Sequence, residues 1–188
     1  MAQLTHFTAG GLVVAAILLL PGCTGDAPIV LPSPESSTAP VFATDEEALA
    51  AAEAAYGEYL AASSTISSKE GSTADGLRQF VTDDYFVEVK ASVERFNNDG
   101  REQQGKPTFD SITLQQFADT YIEPVVVVVY LCVDVSATTF VDAKGNDQTP
   151  PDRALRVPLE VSFVGVERTK RLLIDSSEAW TGEDFCVA

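Results

Sequence analysis

The sequence predicts an α+β domain, helices first and an antiparallel sheet after, behind a short apolar leader. Residues 44–100 place apolar side chains at three- and four-residue steps, the period of amphipathic helices. Residues 109–179 switch to alternation, the period of strands half-buried on one face. Ahead of both lies the apolar run Leu12–Leu20, far short of the about 20 residues a spanning helix needs.

The first helix is expected to start at Thr44. Thr44-x-x-Glu47 has the form of a capping box, and Asp45, Glu46 and Glu47 suit the positive end of a helix dipole. Leu49, Ala52, Tyr56, Tyr59 and Leu60 then fall on one face, and the polar stretch Ser63–Asp75 is expected to break the helix. Leu77, Phe80 and Val81 suggest a short helical turn. Thr82-Asp83-Asp84 opens a second long helix with Phe86, Val89, Val93 and Phe96 as its buried stripe, stopped at Asn97–Gly100.

Phe109, Ile112, Leu114 and Phe117 predict a strand that is bulged where the alternation slips. Val125–Val135 is the strongest strand. Its odd positions are all apolar, and its even side turns polar only toward Asp134, so both faces are expected to be covered in its first half. Asp142–Asp147 reads as a turn, and Leu155–Phe163 as another alternating strand. Gly165–Arg171 reads as a hairpin tip and Leu172–Ala179 as the last strand, with the tail from Trp180 folding back.

Leu20-Pro21-Gly22-Cys23 resembles the bacterial lipobox. The resemblance implies a signal peptide over residues 1–22, diacylglycerol attached to the Cys23 sulfur, and a cut just before Cys23. Two acyl chains suit stable anchoring, where a single chain binds a bilayer only marginally. Residues 23–43 then form a lipidated N-terminus and linker, with Pro28, Pro32, Pro34 and Pro40 among Ser, Thr and Ala, and residues 44–188 form one domain. The expected location is the extracytoplasmic face of the cell membrane, with the bilayer as the first partner.

Lys and Arg number 12 against 28 Asp and Glu, for a formal charge of −16. Such a chain does not fit nucleic acid, whose phosphates call for clustered Lys and Arg. With Cys23 carrying lipid, Cys132 and Cys186 remain as an even pair in an oxidising compartment, and a disulfide between them is expected. The loop it closes stabilises by ~4 kcal/mol in the chain-entropy model. Two unpaired buried thiols or a redox pair are the alternatives, although no Cys-x-x-Cys spacing occurs.

The layout also resembles the cone-shaped fold of nuclear transport factor 2, ketosteroid isomerase and their relatives. It is similar in particular to small lipobox-bearing proteins of Gram-positive bacteria, through Cys132-Val133-Asp134, the Asp142–Gly145 turn, Trp180-Thr181-Gly182 and the closing Cys186. That resemblance implies helices packed on a curved sheet and an address, with no reaction attached. The isomerase branch suggests a carboxylate base and a tyrosine donor in an apolar pocket, for which Asp134 with Tyr130, and Tyr56 or Tyr59, are the candidates. Each also has a plain structural role open to it: core packing for the tyrosines, turn capping for Asp134.

The only histidine is His6, inside the leader, so the domain has no imidazole for a Ser-His-Asp or Cys-His mechanism or for metal ligation. Gly100-x-x-x-x-Gly105-Lys106 lacks the Ser/Thr of a phosphate loop, and Lys144 stands where a calcium loop would want a ligand. No cofactor and no metal site are expected. The function expected is a non-catalytic envelope domain that binds a small apolar molecule or a partner protein; a histidine-free isomerase or hydratase and a structural spacer are the alternatives.

Overall fold

The computed structural model describes residues 39–68, 72–121 and 123–186. The expected signal peptide, Cys23 and most of the linker lie outside the described residues. The order of elements is α1 (Asp45–Ser67), a 3-10 helix (Ala74–Phe80), α2 (Asp83–Asn98), then β1 (Arg101–Gln104), β2 (Thr108–Ala118), β3 (Val126–Asp134), β4 (Thr139–Asp142), β5 (Arg156–Gly165) and β6 (Leu172–Ala179). The fold is α+β, with antiparallel sheets.

The domain begins before Thr44. Val41 and Phe42 are core residues, Phe42 being 1% exposed and set edge-on to Phe117 at 6.0 Å. The Val41 amide donates to Asp119 at 2.7 Å, and Arg168 bridges the same carboxylate to the Ala39 carbonyl. The linker expected to run to residue 43 therefore gives way to packed structure earlier, because two large apolar side chains find the inner face of the sheet.

Thr44 caps α1 by accepting from the Glu47 amide at 3.2 Å. Glu47 reaches back one residue further than a capping box requires, to the Ala43 amide at 2.8 Å, and also pairs with Lys170. The polar stretch from Ser63 does not break α1, which continues to Ser67. The Thr65 hydroxyl donates to the Ala61 carbonyl and the Ser68 hydroxyl to that of Thr65, so these side chains are satisfied by the helix itself. Thr82 caps α2 and ties it to β6, donating its amide to the Ile174 carbonyl at 2.9 Å and its hydroxyl to Asp175.

Four strands form the main sheet in the order β2-β3-β5-β6, all antiparallel. The register of β2 on β3 slips between Asp110 and Thr113 and again between Leu114 and Gln116. Those slips keep Phe109, Leu114 and Phe117 on one side despite their uneven spacing, which is what the bulge predicted from the sequence does. A second sheet, β1 with β4, pairs Arg101 with Asp142 and Gln104 with Thr139. Neither strand announces itself: Arg101-Glu102-Gln103-Gln104 has no apolar alternation to read.

The odd residues of β3 face the helices. Val127, Val129 and Leu131 are fully buried, together with Ala48, Ala52, Leu77, Val161, Phe163 and Ile174. Full burial of the Val, Leu, Ile and Phe side chains among them is worth about 1.5–3 kcal/mol each, so this layer is the main source of stability. The other face differs from expectation. Val126 and Val128 are only half-buried, and it is the far end, at Cys132, that is covered on both sides.

Candidate functional site

The cover over that far end is the C-terminal tail. Cys132 and Cys186 lie at disulfide distance, with Sγ–Sγ 2.06 Å and Cα–Cα 5.5 Å, and both are buried. Tyr130 stacks on Phe185 at 5.4 Å and lies tilted against Trp180 at 4.6 Å. Gly182 lies against the indole, where a Cβ would stand 2.5 Å from the ring, so the Trp180-Thr181-Gly182 spacing has a steric reason. Arg156 closes the assembly: Nε donates to the Cys186 carbonyl at 2.8 Å, and its two amino groups reach Asp110 at 2.6 Å and Asp134 at 3.3 Å.

This arrangement decides what Asp134 is fitted for. It accepts from the Ser136 amide at 2.8 Å, and the Ser136 bonds followed by the Arg156 charge hold its carboxyl below the usual carboxylate range. A general base in an apolar pocket would be pushed the other way. Tyr130 shares this face of the sheet, its hydroxyl pushed up by burial and then by Glu160. Both rings flanking it belong to the tail.

Tyr56 and Tyr59 lie on the opposite side, on α1. Tyr56 is 3% exposed, edge-on to Phe109 at 5.0 Å and 6.2 Å from the Tyr59 ring. Burial raises both hydroxyls above their ordinary value. The sheet thus stands between the two pairs of candidates: Asp134 goes with Tyr130, Tyr56 with Tyr59, and the four do not converge. Sequence reasoning missed Tyr85 and Glu88 of α2, which join Tyr59 along a cleft of about 190 Å³ between the helices. Burial, then the neighbouring Tyr59 phenol and Glu88 carboxylate, raise the Tyr85 hydroxyl. A carboxylate beside these phenols keeps them protonated and fit to donate hydrogen bonds.

A further concavity with an apolar lining runs along the C-terminal half of α1. Gly57, Leu60 and Ala61 form one wall and Pro107 with Phe109 the other, enclosing about 400 Å³. It continues past Ser64 and Lys106 to a polar stretch beside Ser68, Gln103 and Gln104. Gln103 donates to Ser64 at 3.1 Å, tying β1 to α1 at that junction. A volume of this size suits a small molecule. The sequence carries no signal for this groove, because its second wall comes from the β1–β2 connection, a stretch that periodicity does not resolve.

Among the described residues no group of His, Cys, Asp and Glu is placed to hold a metal ion. Asp142 is occupied by its own turn, accepting from the amides of Lys144 and Asn146 at 2.8 and 2.9 Å. No described helix is long and apolar enough to cross a membrane.

No protein family matches the chain, and no curated protein matches it in sequence. Solved structures similar to it include the intermembrane space region of the chloroplast protein ARC6, at TM-score 0.47 and 9% identity over 70% of this chain and 95% of that one. A periplasmic fragment of TraM matches at TM-score 0.42 and 10% identity, over 68% of this chain and 96% of that one. Aln2 from a Streptomyces species matches at TM-score 0.42 and 17% identity, over 73% and 92% respectively.

Proposed function

We propose that the chain is a lipid-anchored extracytoplasmic protein whose domain binds a ligand without transforming it. The observation that carries this reading is the buried Cys132–Cys186 pair. A structural disulfide belongs to an oxidising compartment, and pairing these two leaves Cys23 free for lipid at the end of a signal-like apolar run. The nuclear-transport-factor-2-like cone is the form of the fold that this reading adopts. Its interior here is packed with Phe42, Tyr56, Phe163 and Ile174, which favours binding at a surface groove over chemistry in a central pocket.

Binding is favoured over catalysis by Asp134, which is bonded to Ser136 and Arg156 and so held below the proton affinity an effective general base would need. Of the expected partners, a small apolar molecule matches the size of the groove along α1. Intact-mass analysis of the mature protein tests the address. The expected terminus is Cys23 carrying a diacylglyceryl group, and a Cys23→Ala form is expected to leave the membrane fraction. An unmodified terminus elsewhere, or undiminished membrane retention of Cys23→Ala, overturns the reading.

A further inference from the structure

We infer that the groove beside Gly57 takes a single-chain amphiphile with an anionic head, the chain lying along α1 and the head at Lys106. The inference deepens the binding reading above and rests on it, but not on the lipid anchor.

Gly57 is the first argument. It sits in the middle of a helix otherwise rich in Ala, where Gly costs about 1 kcal/mol relative to Ala. Packing does not demand it: a Cβ there would meet only the Phe109 ring, at an ordinary 3.7 Å. Its φ does not require glycine either, since the positive-φ glycines are Gly100, Gly105 and Gly145. What the missing side chain does provide is open backbone on the groove wall, the arrangement found where a ligand approaches the main chain closely.

Polarity gives the direction. The groove wall is built of apolar residues from Gly57 to Phe109, and beyond Ser64 it takes in the polar side chains of Ser68, Gln103 and Gln104. Lys106 stands at the junction. Lys90 pairs with Glu94 and Lys170 with Glu47, whereas Lys106 has no ion pair among the described residues. Neither stretch of lining contains an Asp or Glu, in a chain with 28 of them. Three other clefts each hold a carboxylate: Glu58 beside the β5–β6 hairpin, there together with Lys170 and Arg171, Glu88 between the helices, and Asp75 and Glu94 with Lys90 behind α2. An anionic head at Lys106 therefore meets no carboxylate on the groove lining, and a fatty carboxylate is the simplest molecule that satisfies both ends.

The test is a fluorescence titration of the purified full chain with 11-(dansylamino)undecanoic acid and with the corresponding alcohol. Saturable one-to-one binding of the acid is expected. Lys106→Ala should weaken the acid about fivefold, the upper range for an exposed ion pair, and leave the alcohol within about twofold. Gly57→Leu fills the groove and should weaken both probes at least ~10-fold, since an already shaped cavity tolerates added volume poorly. Gly57→Ala should raise Tm, because Ala is the better helix former and meets no clash; a fall in Tm would mean that Gly57 serves packing and would remove the first argument. Ala61→Leu blocks the same groove one turn on, should Gly57→Leu fail to fold. Absence of saturable binding by the native chain, or binding that survives both blocking substitutions, overturns the proposal. Equal weakening of acid and alcohol by Lys106→Ala overturns the anionic head. Each of these outcomes is read without reference to the mature N-terminus, so failure here leaves the anchoring proposal to its own test.

Discussion

The two faces of the main sheet are held by different physics although they share the same strands. On the helix side, every second residue of β3 is buried, and the layer gains its stability from apolar area spread over α1, α2, the 3-10 helix and four strands. On the other side, among the described residues, cover lies at one end. There a single sulfur pair, three rings and one guanidinium hold the tail in place. Stability that is spread out falls gradually with mutation, whereas stability concentrated in a clasp depends on a few atoms. The helix side is thus the body of the domain, and the tail side is a closure placed over Cys132 and Tyr130.

The sharpest way to break the comparison is to open the body. Phe163→Ala removes a fully buried ring and should cost about 4–5 kcal/mol, the upper range for such truncations, lowering a single cooperative transition in denaturant. Removing both cysteines, as Cys132→Ala with Cys186→Ala, should cost ~4 kcal/mol in the chain-entropy model. It should also act on one face first. Trp180 is the only tryptophan, so its fluorescence reports the clasp, while far-ultraviolet circular dichroism reports the body. Coincident transitions in the native chain and separated ones in the cysteine-free chain are the expected pattern.

Acid provides the mildest contrast. Hydrogen bonds from Arg156 hold the Asp110 carboxyl below its ordinary value, and those of Ser136, then Arg156, do the same for Asp134. Groups lowered in this way stabilise the fold fully above the unfolded-state value of about 4, and the contribution is lost as pH falls through the folded-state values. Trp180 fluorescence should therefore change below about pH 4 ahead of the circular dichroism signal. In Arg156→Ala that early change should shrink, since the Arg156 contribution to both carboxylates is gone while the Ser136 bonds to Asp134 remain.

The contrast also explains what could be read in the sequence. Elements that answer to local periodicity were legible: Thr44 and Thr82 as caps, Leu172–Ala179 as a strand, and the uneven spacing from Phe109 to Phe117 as a bulge. The sulfur pair was legible too, through the parity of three cysteines. Features made by contact between distant segments were not. Nothing in Arg101–Gln104 marks a strand until Thr139–Asp142 lies beside it. Nor does Arg156 reveal by its neighbours in sequence that it joins Asp110, Asp134 and Cys186. The half-exposed Val126 and Val128 mislead for a related reason. A run of valines looks doubly buried, yet only the odd ones meet a covering layer.

The place where the chain enters the domain bears on how it carries mechanical load. Phe42 is wedged under the sheet, the Val41 amide is bonded to Asp119 at the end of β2, and Arg168 of the β5–β6 hairpin grips both Asp119 and Ala39. A pull from the segment ahead of Ala39 is consequently shared among a helix start, a strand end and a hairpin. Bonds distributed in that way must yield together, rather than peel one after another, under any load that enters from the amino end.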